Sequence, residues 1–330
     1  MGGRMASDAR IANLSVHRMD RSREERPDLS IAPLGIAPEV REALSAGRPV
    51  VALESTVLAH GLPYPRNLEV GRALEQEVRG GGCTPATVAV LAGTPKVGLT
   101  DAELEHVATA SDVLKLSTRD VPVALARRRD GATTVAATIW LANAAGVRVF
   151  ATGGIGGVHR GAPHDVSADV TELARTPMIV VCAGAKAILD LPATREALET
   201  AGVLVVGWQT DELPAFYSRE SGLGVDARVE RAEEVAEIWK AKRSFAFPGA
   251  ILLCVPPPAA DALPAAVVAA EIDRALDRAA EAGIRGKEVT PFLLAEVARL
   301  TGGRSLETNV ALLRNNARTA AAVARAVGEA

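Results

Sequence analysis

Two charged side chains and one glycine-rich segment have the types and spacing to do chemistry. Lys186 follows the apolar run Pro177-Met178-Ile179-Val180-Val181-Cys182 through the small residues Ala183-Gly184-Ala185. The run reads as a buried strand and the small residues as a tight turn into a helix. A lysine at such an elbow sits where parallel α/β sheets hold ligands, and a helix dipole with apolar surroundings disfavours its ammonium form. The neutral amine that remains is a nucleophile for a carbonyl carbon. A bland alternative stays open, in which Lys186 reaches solvent or holds a phosphate as a fixed charge. Glu54 closes a second apolar run, Pro49-Val50-Val51-Ala52-Leu53, and precedes the hydroxyls Ser55 and Thr56. A glutamate ending a buried strand is either a paired structural charge or an acid that moves protons.

The glycine-rich segment runs from Thr152 to Asp169 and packs five glycines, two histidines, an arginine and two aspartates into eighteen residues. Missing Cβ atoms let backbone approach a ligand closely. The spacing is not GxGxxG and no acidic residue follows at the dinucleotide distance, so a Rossmann site is not predicted. His159, His164, Asp165 and Asp169 offer nitrogen and oxygen ligands for a divalent metal, although an aspartate in such a segment also serves turns and caps. Lys115 lies inside the short apolar strand Val113-Leu114-Lys115-Leu116-Ser117, as an edge lysine or a site lysine. Thr133-Thr134-Val135 opens a helix whose free N–H groups could seat an anion. Trp208, Phe216 and Tyr217 cluster after a strand, and loop packing is the commoner use of such a cluster than a planar ligand.

The elements that must position these groups alternate strand and helix. Pro38 starts a helix, Thr100-Asp101-Ala102-Glu103 is a capping box, and Gly146 closes the helix after Val135. Strands are predicted at 49–53, 87–91, 113–117, 147–151, 178–182, 203–207 and 251–255. The last third reads as helical: 264–282, a Thr290-capped helix with Pro291 at its first position running to Leu300, and a long helix from Ser305. This alternation predicts an α/β fold with a central, largely parallel sheet, helices on both faces (α/β/α) and a helical C-terminal third. Residues 1–32 alternate Arg with Asp and Glu without an apolar face or a hydrophobic signal core. They read as a disordered extension before a single catalytic domain over 33–330.

Composition narrows the function classes. The chain has 330 residues, 48% hydrophobic but 3% aromatic, so aliphatic layers must fill its core. A formal net charge of -3 gives no basis for nucleic-acid binding. Cys83, Cys182 and Cys254 are widely spaced, which argues for a reducing, cytoplasmic setting and against a disulfide frame or a zinc site. The longest apolar runs are too short to span a membrane.

Taken together, Ala52-Leu53-Glu54-Ser55-Thr56, Thr152 through Gly161, Val181-Cys182-Ala183-Gly184-Ala185-Lys186 and Asn309 with Asn315-Asn316 resemble the pseudouridine-5′-phosphate glycosidases. The similarity extends from about Ile36 to the C-terminus. It implies a lyase that reversibly cleaves the C–C glycosidic bond of pseudouridine 5′-phosphate to uracil and ribose 5-phosphate, as a homotrimer with one Mn2+ per subunit. By the same resemblance Lys186 is the nucleophile, forming an imine with the ring-opened sugar, and Glu54 is the proton donor. Asp165 matches the metal ligand. Lys115, the backbone of Val135, the triplet Ser167-Ala168-Asp169 and Asn309 match substrate contacts, and His159 is expected behind them as a proton relay. Competing readings are another imine-forming reaction on a sugar phosphate, the reaction of pigment-pathway relatives on a similar phosphorylated substrate, and a nucleotide sensor without turnover.

Overall fold

Short aliphatic and β-branched runs form the strands of this computed structural model, which describes residues 33–284, 286 and 289–329. In chain order these are β1 (Gly35–Ile36), β2 (Val50–Leu53), β3 (Thr84–Leu91), β4 (Thr94–Val97), β5 (Leu114–Leu116), β6 (Gly131–Thr133) and β7 (Val149–Ala151). They continue as β8 (Val158–His159), β9 (Ala162–Val166), β10 (Ile179–Cys182), β11 (Leu204–Trp208), β12 (Ala227–Val229) and β13 (Ile251–Cys254). Neighbours in the order β3-β2-β7-β10-β13-β11-β12 all run parallel. The far half of β3 turns to a second set of partners and pairs antiparallel with β4 and β6.

Strands β2, β10 and β13 are buried at every position, as parallel strands covered on both faces must be. The helix Arg304–Glu329 crosses β2, β7 and β10 on one face, beside Arg66–Gly80 and Ala232–Ser244. Its buried Ala317, Ala320, Ala321 and Ala324 let it lie close. Glu77 fastens it to Arg66–Gly80, accepting from Arg314 Nε at 2.8 Å and from Arg318 Nη2 at 2.8 Å. The hydrogen bond from Arg318, aided by Arg314, holds that carboxyl below its usual range. On the other face Val135–Ala144 packs with Ala168–Arg175.

The predicted fold class therefore holds, and so do several local signals. The helix Pro38–Ser45 has its proline in the first turn, and Asp101–Thr109 has the full capping box from Thr100 and Glu103. Three expectations fail. The chain does not turn from β10 directly into a helix: eight residues intervene before Leu191–Thr200, because Asp190 is the residue that caps it, accepting from the Ala193 N–H at 3.0 Å. Thr290 lies inside the helix Val289–Leu300 and is not its cap. The glycine-rich segment, expected as a loop, contains the hairpin β8–β9. The extension predicted over 1–32 lies outside the described residues. Among the described residues no helix is long and apolar enough to cross a membrane.

Candidate active site

The chain leaves β2 for β3 on one side and returns on the other side as β7. Connections diverge there, so a crevice opens beyond the carboxyl ends of β2 and β7. Glu54 is the residue after β2 and Thr152 the residue after β7. The Thr152 hydroxyl donates across this gap to Glu54 Oε1. The hydroxyls that follow Glu54 are structural: Ser55 donates to the Val88 carbonyl at 2.6 Å and Thr56 to the Thr133 carbonyl at 2.8 Å. They fix the turn that presents Glu54 to the crevice.

Lys186 is placed by backbone. Past the ends of β7 and β10 the parallel ladder continues between two loops, with Ala183 N–H donating to Gly153 O at 2.9 Å and Ile155 N–H to Gly184 O at 3.1 Å. The Lys186 N–H then donates to Ile155 O at 3.0 Å. Gly184 permits this path, since its φ is +81° and a Cβ there would stand 2.3 Å from the Pro214 carbonyl oxygen. The helix dipole invoked from the sequence does not act on Lys186, because the next helix begins five residues later and is capped by Asp190.

Asp169 supports the opposite wall. It is buried, its Oδ2 accepts from Gly156 N–H at 2.8 Å and its Oδ1 from Ala136 N–H at 2.9 Å. Part of the anion seat predicted at the start of Val135–Ala144 is thus filled by the protein's own carboxylate. Ser167 caps the helix Ala168–Arg175 by accepting from the Asp169 N–H at 3.2 Å. His159 and Leu189 form a bridge that ties the hairpin to the Lys186 loop.

These elements enclose one cavity of about 340 Å³. Glu54, Lys115, Val135, His159, Asp165, Ser167, Ala168, Asp169, Lys186 and Asn309 all line it. Every site residue expected from the sequence is therefore brought to a single wall-to-wall space, while His164 is exposed and lies outside its lining. Glu54 keeps some surface open to the cavity, but desolvation dominates its surroundings and pushes its carboxyl up. The charge of Lys186 and the Thr152 hydrogen bond oppose that push, and Asp169 adds to it. A carboxyl so placed keeps its proton to higher pH and can deliver it.

The four putting-together expectations for a metal fare less well. Among the described residues no three His, Cys, Asp or Glu side chains converge on one point, so His159, His164, Asp165 and Asp169 do not form a joint ligand set. Asp169 is committed to backbone N–H groups instead. Asp165 remains an exposed carboxylate on β9 at the cavity rim. One carboxylate fits a hard divalent cation that keeps most of its waters, and not a closed protein cage.

Sequence reasoning gave no role to Thr152, Ser117 or Arg119, which also line or brace this space. Thr152 was legible by position, since it follows β7 as Glu54 follows β2. Phe216 both packs, edge-on to Tyr217 at 4.8 Å between centroids, and faces the cavity. The three cysteines are free and buried.

Residues 39–326 match the family described as indigoidine synthase A like protein. A pseudouridine-5′-phosphate glycosidase of Chloroflexus aurantiacus is 60% identical over 302 residues, covering 90% of this chain and 99% of the relative. One of Herpetosiphon aurantiacus is 58% identical over 294 residues, covering 88% and 97%. Among solved structures, the prealnumycin C-glycosynthase AlnA in complex with ribulose 5-phosphate superposes with a TM-score of 0.83 at 40% identity, covering 90% of this chain and 97% of that one. An indigoidine synthase A-like protein from Thermotoga maritima gives a TM-score of 0.82 at 36% identity, covering 89% and 96%.

Proposed function

The chain belongs to the pseudouridine-5′-phosphate glycosidase family, and from that premise we propose that Lys186 and Glu54 share the work of breaking a C–C glycosidic bond. The activity is the cleavage of pseudouridine 5′-phosphate to uracil and ribose 5-phosphate. Its difficulty is chemical: uracil leaves through carbon only if C5 gains a proton, while the sugar C1′ must accept another bond. Lys186 Nζ bonds to C1′ as the C1′–O4′ bond opens, and O4′ takes the proton that the attacking nitrogen sheds. Glu54 then delivers its proton to C5 as the C1′–C5 bond breaks, the electron pair passing to the uracil ring and the nitrogen lone pair forming C1′=N. Water hydrolyses that imine, freeing ribose 5-phosphate and the amine. The steps sum to substrate plus water giving the two products.

One observation carries this reading: an amine and a carboxyl displaced toward its protonated form line the same cavity. Lys115 supplies a second positive charge for phosphate or sugar oxygens, and Asn309 offers both donor and acceptor to the imide edge of uracil. Val135, Ser167 and Ala168 contribute wall and backbone contacts, and His159 lies where it can pass protons. Asp165 would hold Mn2+ at the rim, where the ion supplies positive charge for oxygen ligands. The homotrimer is carried over from the resemblance, and the exposed aromatics Trp140, Phe245 and Phe247 offer apolar surface for it. A cytoplasmic setting rests on the three widely spaced cysteines, which are free and buried.

Release of uracil from pseudouridine 5′-phosphate, with Glu54→Gln and Lys186→Ala as controls, tests the reading. Incubating the protein with ribose 5-phosphate and borohydride separates an imine from other chemistry, since hydride reduction would leave the sugar fixed to Lys186.

A further inference from the structure

Of the three asparagines on the long C-terminal helix, two stand seven residues apart, Asn309 at the cavity and Asn316 deeper in the core. Two helical turns put both on the face toward the glycine-rich loop. Asn316 is fully buried, and its Nδ2 donates to the Thr152 carbonyl at 2.8 Å and, at 3.4 Å, to that of Gly153. Its Oδ1 is buried and has no hydrogen-bond partner among the described residues. The unpartnered Oδ1 costs stability, while Nδ2 satisfies the buried Thr152 carbonyl, which a leucine of the same heavy-atom number and branching would leave without that donor. The amide is matched to the carbonyl it holds.

Thr152 is clamped from two sides. Its N–H donates to Val181 O at 3.0 Å and its carbonyl accepts from Asn316, so both flanking peptide planes are set. A β-branched side chain has few rotamers, so the direction of the Thr152 hydroxyl follows from that backbone. That hydroxyl donates to Glu54. We propose that Asn316 is a positioning residue for the catalytic acid, holding the Thr152 carbonyl so that the hydroxyl of the same residue orients the Glu54 carboxyl toward the substrate carbon. The inference rests on Glu54 being the proton donor.

The test is Asn316→Leu in the full chain, with uracil release measured across pH beside Thr152→Val, the double variant and Glu54→Gln. Misplacing a reacting group by about 1 Å costs on the order of 100-fold, so kcat should fall roughly 10- to 100-fold while KM changes less than about threefold. Losing a donor to the carboxylate form removes a downward influence on Glu54, so the alkaline limb of the kcat profile moves to higher pH in both single variants. The double variant should be no worse than the weaker single, because both act along one path. A folded Asn316→Leu protein with kcat and pH profile like the parent overturns the inference, as do effects that add in the double variant. If leucine does not fold, Asn316→Ala gives the same readout. Should Glu54→Gln itself turn over like the parent, the proton-donor reading fails instead, and the two failures are told apart.

Discussion

Asp169 accepts the Gly156 N–H at 2.8 Å with one carboxylate oxygen while the other takes the Ala136 N–H at 2.9 Å. One buried side chain thereby joins the glycine-rich loop to the helix that forms the opposite wall. Asp169→Asn would turn an amide N–H toward one of these donors and leave it unsatisfied. Equilibrium denaturation should show a loss of about 1–3 kcal/mol, with uracil release falling because the cavity walls separate.

Glu54 couples activity to stability with a definite sign. Its folded-state proton affinity is raised, chiefly by desolvation, so its contribution to stability is complete below the unfolded value and is lost as pH rises through the folded one. Glu54→Gln removes that loss. Its melting temperature relative to the parent should increase as pH rises above about 4.5, the ordinary glutamate value, while kcat falls roughly 100- to 10,000-fold. A difference in melting temperature that shrinks with rising pH would contradict the burial argument.

Gly184 sets the path of the lysine loop, since an added Cβ would meet the Pro214 carbonyl oxygen at 2.3 Å and the backbone has positive φ. Gly184→Ala should cost more than about 1 kcal/mol in denaturant unfolding. Imine trapping should fall with it, because Lys186 is two residues along the displaced strand extension.

The sequence showed more of the site than of its framework. Glu54 and Lys186 were found because each belongs to a motif, Asp165 and Asp169 because they lie in the glycine-rich segment, and Asn309 by resemblance; all five line one cavity. Local rules also held where the cause is local: the Thr100 capping box and the first-turn Pro38 need only a few neighbouring residues. Failures came where distant partners decide. The elbow at Lys186 is held straight by hydrogen bonds from the loop after β7, so the small residues there extend a ladder and do not begin a helix. Asp190-Leu191-Pro192 marked the true helix start and was legible as a cap followed by a first-turn proline. The order of strands, which creates the crevice between β2 and β7, depends on long-range pairing that no local pattern encodes.

Asp165 is the one acidic side chain proposed for the metal, on an exposed strand at the rim. With a single protein carboxylate and many waters, binding should be weak enough for chelators to strip. Treatment with EDTA should abolish most uracil release, readded Mn2+ should restore it, and Asp165→Asn should need a higher Mn2+ concentration for half-maximal activity without losing melting temperature. Full activity after exhaustive chelation would remove the metal from the account.

The central claim is a covalent bond between Lys186 and the sugar. Intact-protein mass spectrometry after borohydride treatment with ribose 5-phosphate measures it directly, with peptide mapping of the modified residue. The account predicts one sugar phosphate per chain, attached at Lys186 and absent from Lys186→Ala, which should also release no uracil. A Lys186→Ala protein that cleaves pseudouridine 5′-phosphate at the parental rate, or a trapped sugar on Lys115 with Lys186 unmodified, would contradict it.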